Sequence, residues 1–203
     1  MSHNIDKIIY INLKKREDRK LLIENELENY TLKNYERFEA IETLGMGFIG
    51  CANSHLAVLK IAKERNYKNI LILEDDFVFT VDKNKFETQL NKFFELEIPF
   101  DVCMLSYNMI QSKPTEYDII NQVVEAQTSS AYIINNHYYD TLIKLYEESN
   151  PLLEVTKQHW IYANDQIWKQ LQKKDTWYYF NERIGKQRSG YSDNGECYVD
   201  NDF

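Results

Sequence analysis

The run Asn69-Ile70-Leu71-Ile72-Leu73 stops abruptly at three consecutive carboxylates, Glu74, Asp75 and Asp76. A short apolar segment without polar alternation is normally a strand buried on both faces of a largely parallel sheet, so helices have to cover it from two sides. That points to an α/β layer. Ligands of open α/β sheets bind outside the carboxyl ends of the strands, which is where the three acids stand.

The rest of the chain supports this reading. Residues 7–12 (KIIYIN) form a second β-branched strand, and residues 14–30 follow with Ile23, Leu27 and Tyr30 at helical spacing. Residues 35–41 read as a short or edge strand, residues 51–64 as a helix, and Phe86, Leu90, Phe93 and Phe94 mark another amphipathic helix. Residues 101–107 supply a further central strand. Strands and helices alternate up to this point, which favours a mixed, mainly parallel central sheet flanked by helices. Two consecutive short strands, 122–127 and 130–134, then predict a small antiparallel addition, followed by a helix over about 137–148. Asn150-Pro151 is expected to break the chain. Ala163, Ile167 and Leu171 mark one more helix, residues 176–180 one more strand, and the tail from Gly185 an ordered loop or flap. No repeat or long linker divides residues 1–203, which read as one domain.

Composition excludes several classes. With 24 Lys+Arg against 32 Asp+Glu, the net charge of −8 argues against nucleic acid or anionic lipid as the main partner. No apolar run approaches the ~20 residues of a membrane helix, and the N-terminus lacks a secretory pattern, so a cytoplasmic protein without an integral membrane segment is expected. The three cysteines include no C-x-x-C pair, which argues against a disulfide framework and a cysteine-rich zinc site.

Three motifs bear on chemistry. Clustered carboxylates at a strand end suit hard divalent cations, which take oxygen ligands. Strand alternation places Glu74 and Asp76 on one side and Asp75 on the other; solvated charges after a strand end are the competing reading. The second motif, Gly45-Met46-Gly47-Phe48-Ile49-Gly50, matches the dinucleotide fingerprint G-x-G-x-x-G. Against a nicotinamide site, Glu42, Thr43 and Leu44 separate it from the preceding strand, and three adjacent acids would repel a cofactor phosphate. The third is the basic stretch Lys14-Lys15-Arg16 with Arg19, directly after the first strand. Cations are unfavourable at a helix start, so this stretch reads as positive charge for a nucleotide or its phosphates. A phosphorelay receiver is excluded because residues 101–107 end in Ser106 and Tyr107, where an acceptor Asp is required.

Residues 9–19 (IYINLKKREDR), 50–62 (GCANSHLAVLKIA) and 70–77 (ILILEDDF) together resemble glycosyltransferase family 25, which includes lipopolysaccharide β-galactosyltransferases and collagen hydroxylysine galactosyltransferases. Weaker echoes are residues 129–136 (SSAYIINN), Asp165 in NDQIW, and residues 187–194 (QRSGYSDN). The resemblance implies a GT-A type nucleotide-sugar-binding fold and an inverting hexosyltransferase of lipopolysaccharide or glycan biosynthesis. Its donor would be a UDP-sugar carrying galactose, glucose or a relative, its cation Mn²⁺ or Mg²⁺, and its acceptor a glycan, lipid-linked or protein hydroxyl.

Under that resemblance Asn12, Arg16 and Arg19 contact the nucleotide, and Glu74 and Asp76 hold the metal, with Asp193 as an extra ligand. Asp75 meets the ribose or the sugar, Lys186 and Arg188 belong to a flap over the diphosphate, and Ser54 and His55 either approach the donor or pack on an apolar face. Asp165 is the expected general base, or else a first-turn acid facing the helix dipole. Two departures stand out: the chain is short for the family, and it carries Glu-Asp-Asp in place of Asp-x-Asp. The rival readings are an NAD(P)-dependent oxidoreductase using the GMGFIG loop and a catalytically inactive sugar-nucleotide-binding protein.

Overall fold

The computed structural model describes residues 4–192 and 197–201. Strand β1 (Lys7–Asn12) leads into helix α1 (Glu17–Asn29), and β2 (Tyr35–Glu39) into α2 (Gly47–Glu64). Then come β3 (Asn69–Glu74), β4 (Phe77–Phe79), α3 (Lys83–Glu95), β5 (Val102–Met104), β6 (Asn108–Lys113), β7 (Ile120–Gln127), β8 (Ala131–Asn135) and α4 (Tyr139–Thr156). Three one-turn helices follow, α5 (His159–Tyr162), α6 (Asn164–Ile167) and α7 (Lys169–Gln172). The chain continues with β9 (Trp177–Phe180), β10 (Gly185–Gln187), β11 (Gly190–Ser192) and β12 (Cys197–Val199).

Eight strands form one mixed sheet in the order β2-β1-β3-β8-β5-β9-β7-β6, and two small two-stranded sheets pair β10 with β4 and β11 with β12. Pairing is parallel for β2-β1-β3 and for β5-β9, and antiparallel at the other ladders of the large sheet. Successive side chains of a strand point to opposite faces, and β3 shows why it needs no polar alternation. Ile70 and Ile72 enter a core with Val58 and Leu59 of α2 and Leu142 and Tyr146 of α4. Leu71 and Leu73 enter another with Ile23 and Leu27 of α1 and Phe86 and Leu90 of α3. Each such burial stabilises the fold by about 2 kcal/mol before conformational entropy is subtracted. The parallel register pairs Ile11 with Glu74, so the carboxyl ends of β1 and β3 lie side by side.

Several elements depart from sequence expectation. Helix α2 starts at Gly47, inside the glycine motif, rather than at Cys51. Gly45 takes φ +67°, which favours glycine, and a Cβ on Gly50 would lie 2.2 Å from the Ile41 carbonyl oxygen. These glycines thus turn a loop and let a helix touch it. Helix α4 runs through Pro151 instead of ending before it. Pro151 forfeits one backbone hydrogen bond, while Leu153 beyond it is buried against Ile49 and Ala52 of α2, and Asn150 Nδ2 donates to Asn53 Oδ1 at 2.8 Å. Strand β6, largely exposed, has no apolar pattern to announce it.

Candidate active site

Strand β3 ends at Glu74, and Asp75 and Asp76 form the turn into β4. The two-residue alternation therefore ceases before Asp76, and the three carboxylates acquire different surroundings. Glu74 faces α2 and β8: its Oε1 accepts from Ser129 Oγ at 2.7 Å and lies 3.2 Å from His55 Nε2 and 3.9 Å from Cys51 Sγ. Burial pushes the Glu74 carboxyl up, but hydrogen bonds from His55 and Ser129 and the charge of Arg19 outweigh it and hold the group below its ordinary range. An ionised carboxylate only accepts, so His55 Nε2 donates to it, and His55 Nδ1 meets the Tyr132 hydroxyl at 2.9 Å. Asn164 Nδ2 completes this row by donating to Ser129 Oγ at 2.9 Å.

Asp75 is turned toward α1. It accepts from Asn12 Nδ2 at 2.8 Å and from Arg19 Nη1 at 2.9 Å. Arg37 Nε donates to Asn12 Oδ1 at 2.9 Å and so fixes which end of that amide meets Asp75. Arg19 also reaches Asp76 Oδ2 at 3.4 Å and donates to the Tyr191 carbonyl at 2.6 Å. Asp76 Oδ1 is buried and has no hydrogen-bond partner among the described residues. Burial first, then the charge of Glu74, push the Asp76 carboxyl up to about 7. Leaving a carboxylate oxygen buried and unmet costs several kcal/mol unless a proton or a cation joins it, so this group fits an oxygen-ligated divalent ion.

A cavity of about 300 Å³ opens over these groups. Its wall comprises Lys15 and Arg19 from the β1-α1 segment, the loop after β2, Cys51, the three acids, and Gln187 and Tyr191 from the tail. Arg16 and Arg188 flank Asp75 and Asp76 in an adjoining cleft of about 230 Å³. Arg16 pairs with Asp18 at 2.8 Å, and the Arg188 amide donates to the Asp76 carbonyl at 2.6 Å. Asn12, Arg16, Arg19, Glu74, Asp75, Asp76 and Arg188 are therefore gathered at one sheet end.

Other expected residues lie apart. Ser54 is fully buried, donating to the Gly50 carbonyl at 2.7 Å and accepting from the Ile41 amide at 2.8 Å, so it fastens the glycine loop to α2. His55 lies beneath the cavity and orients Glu74. Lys186 lines a second cavity. Asp165, in the first turn of α6, accepts from the Thr128 amide at 3.1 Å, and burial pushes its carboxyl up. Asp193 lies outside the described residues.

Donor atoms of Cys51, His55 and Glu74 also stand within 4.8 Å of one another. Burial and the nearby carboxylates push the Cys51 thiol well up, which opposes its use as a thiolate ligand. Arg37, Cys51, Ser129 and Gln187 are not among the expected site residues; Cys51, Ser129 and Gln187 each stand in a segment that carries the family resemblance, whereas Arg37 carries no such signal.

The sequence matches the family described as "Glycosyltransferase family 25 (LPS biosynthesis protein)" over residues 32–168, more than half of the chain. The chain belongs to glycosyltransferase family 25. It is 33% identical over 120 residues to "Putative glycosyltransferase R655" of Acanthamoeba polyphaga mimivirus, a match covering 49% of this chain and 36% of that protein. The chain thus spans about a third of that relative's length. A mannose-1-phosphate geranyltransferase from Thermus thermophilus has a similar fold, with a TM-score of 0.51 at 8% identity over 91% of this chain and 74% of the other. A glycosyltransferase involved in glycosylation of the major capsid of PBCV-1 gives a TM-score of 0.46 at 12% identity over 87% of this chain and 92% of the other. For this family 25 member, no helix among the described residues is long and apolar enough to cross a membrane.

Proposed function

We propose that the protein is an inverting hexosyltransferase that moves a sugar such as galactose or glucose from a UDP-sugar to an acceptor hydroxyl, with Mn²⁺ or Mg²⁺. The observation that carries this reading is the buried Asp76 oxygen, unmet among the described residues, in a cavity lined by four acids (Glu42, Glu74, Asp75 and Asp76) and two cations (Lys15 and Arg19), at the carboxyl end of β3. Glu74 and Asp76 would hold the cation, Glu74 being fixed through Oε1 by Ser129 and His55. When bound, the cation supplies Lewis-acid stabilisation of the charge developing on the leaving diphosphate.

The chain's own groups do the rest. Asn12 and Arg19 orient Asp75 toward the nucleoside, while Lys15, Arg16, Arg19 and Arg188 place positive charge around the diphosphate. The acceptor oxygen forms the new bond to the anomeric carbon as the bond to the diphosphate oxygen breaks and its electron pair leaves with UDP. The acceptor proton passes to Asp165, whose carboxyl burial raises, making it a stronger proton acceptor than an ordinary aspartate. In this structure Asp165 is occupied by the Thr128 amide, and such bonds rearrange in the substrate complex.

The acceptor classes consistent with this chemistry are glycans, lipid-linked sugars and protein hydroxyls. A screen of UDP-sugars for Mn²⁺-dependent hydrolysis tests the reading. Release of UDP from at least one hexose donor, abolished by a chelator, is the expected result; no release from any donor refutes catalysis.

A further inference from the structure

A second cavity, of about 350 Å³, lies on the other side of Gln187 from the acidic one. Its wall is formed by Ser106, Tyr107, Asn108, Thr128, Arg183, Lys186, Gln187 and Asn201. Two of these residues are cations and none is an acid, in a chain of net charge −8. The guanidinium of Arg183 stands 5.1 Å from the centre of the Tyr107 ring. That ring is itself anchored, its hydroxyl donating to the Phe180 carbonyl at 2.7 Å. The neighbouring Glu182 pairs with Lys85, and no described carboxylate forms an ion pair with Arg183. Lys186 Nζ donates to the Asn201 carbonyl at 3.1 Å.

The wall of this cavity also touches the candidate base. Thr128 has φ +81°, a conformation that a β-branched residue rarely takes. Strain of this kind persists only where surrounding contacts enforce it, and here Asp165 holds the Thr128 amide. Thr128 thus belongs both to the wall of this cavity and to the hydrogen-bond partners of Asp165, and Gln187 to the walls of both cavities.

We propose that this second cavity is the acceptor subsite and that Arg183 selects an acceptor bearing an anionic group, a carboxylate or a phosphate, next to its reactive hydroxyls. The assignment of the anion to an acceptor rests on the transfer reaction proposed above; the anion site itself does not. A planar guanidinium stacked on a fixed ring loses little freedom on binding and offers a bidentate fork to either group. Bound UDP and its cation occupy the other cavity, so the two negative ligands are kept apart by Gln187 rather than competing for the same cations.

The test titrates the full chain with glucose, glucuronate and glucose 6-phosphate, with and without saturating UDP and Mn²⁺, following ¹H–¹⁵N shifts. Glucuronate or glucose 6-phosphate, or both, should bind about tenfold more tightly than glucose, the size expected of one charge-assisted bidentate contact. The tighter of the two identifies the anion. In Arg183→Gln the preference should shrink to less than about twofold while the affinity for UDP stays unchanged; Arg183→Lys should retain part of it. Equal binding of all three sugars by the unmodified protein overturns the proposal. So does an undiminished preference in Arg183→Gln, whose folding is checked by circular dichroism, with Arg183→Lys as the second variant. Failure of UDP to bind would remove the donor reading, while the titrations without UDP would still decide the anion site.

Discussion

The two cavities on either side of Gln187 are opposites. One is lined by Glu42, Glu74, Asp75 and Asp76 against Lys15 and Arg19 and leaves an oxygen of Asp76 unmet among the described residues; the other holds Arg183 and Lys186 and, among the described residues, no acid. An excess of charge of one sign in a cleft is costly for the empty fold and useful when a complementary ligand arrives. On the proposed reading the acidic side would take a cation together with a diphosphate, and the basic side an anion with no cation between. A net charge of −8 conceals this division, because it averages the two walls together with the rest of the surface.

Substitutions can break the contrast from either side. The largest effect is expected for Asp165→Asn, which should retain UDP binding but slow transfer by about 10²–10⁴-fold, the usual range for a lost general base. Retained transfer would exclude Asp165 from that role. In the unmodified enzyme, burial raises the Asp165 carboxyl, so the acid limb of the kcat profile should lie above the ordinary Asp range, with turnover falling as pH drops through it. Asp76→Ala should weaken cation-dependent UDP binding by about a hundredfold while sparing glucuronate or glucose 6-phosphate binding in the other cavity; calorimetry separates the two losses.

Stability offers a subtler contrast. The Asp76 carboxyl titrates at about 7 in the fold against 3.8 unfolded, so the protonated form is the one the fold favours. Its contribution is fully present below about pH 4 and lost as pH rises through about 7. Thermal melts of cation-free protein should show this decline between those values, Asp76→Asn should lack it, and Mn²⁺ should offset it. The smallest effect is expected for Ser129→Ala, which removes one donor to Glu74 Oε1. A destabilisation of about 1–2 kcal/mol in urea melts is expected, since a hydrogen bond to a charged group is lost.

How much of this was legible in the sequence differs by region for physical reasons. Strand β3 and its acids were readable because an apolar run without alternation has few other structures available. Helix α3 was readable from Phe86, Leu90 and Phe93 at one stripe, with Asp82 accepting from the Lys85 amide at its start. Pro151 misled because a local rule about backbone bonds was outweighed by tertiary packing of α4 on α2. Strand β6 was invisible because an exposed edge partner of β7 needs no apolar face. At the site, the cations after β1 were legible as charge out of place for a helix start. Arg183 was not, since a single arginine in irregular chain acquires meaning only once Tyr107 and Thr128 are brought beside it.

The central claim, that the acidic cavity is a cation-dependent UDP site, is tested most directly by calorimetry of the full chain with UDP, with Mn²⁺ and with chelator. Saturable UDP binding in Mn²⁺ that is lost or weakened at least about tenfold in chelator is the predicted result. No UDP binding in either condition, or equal binding in both, would contradict it.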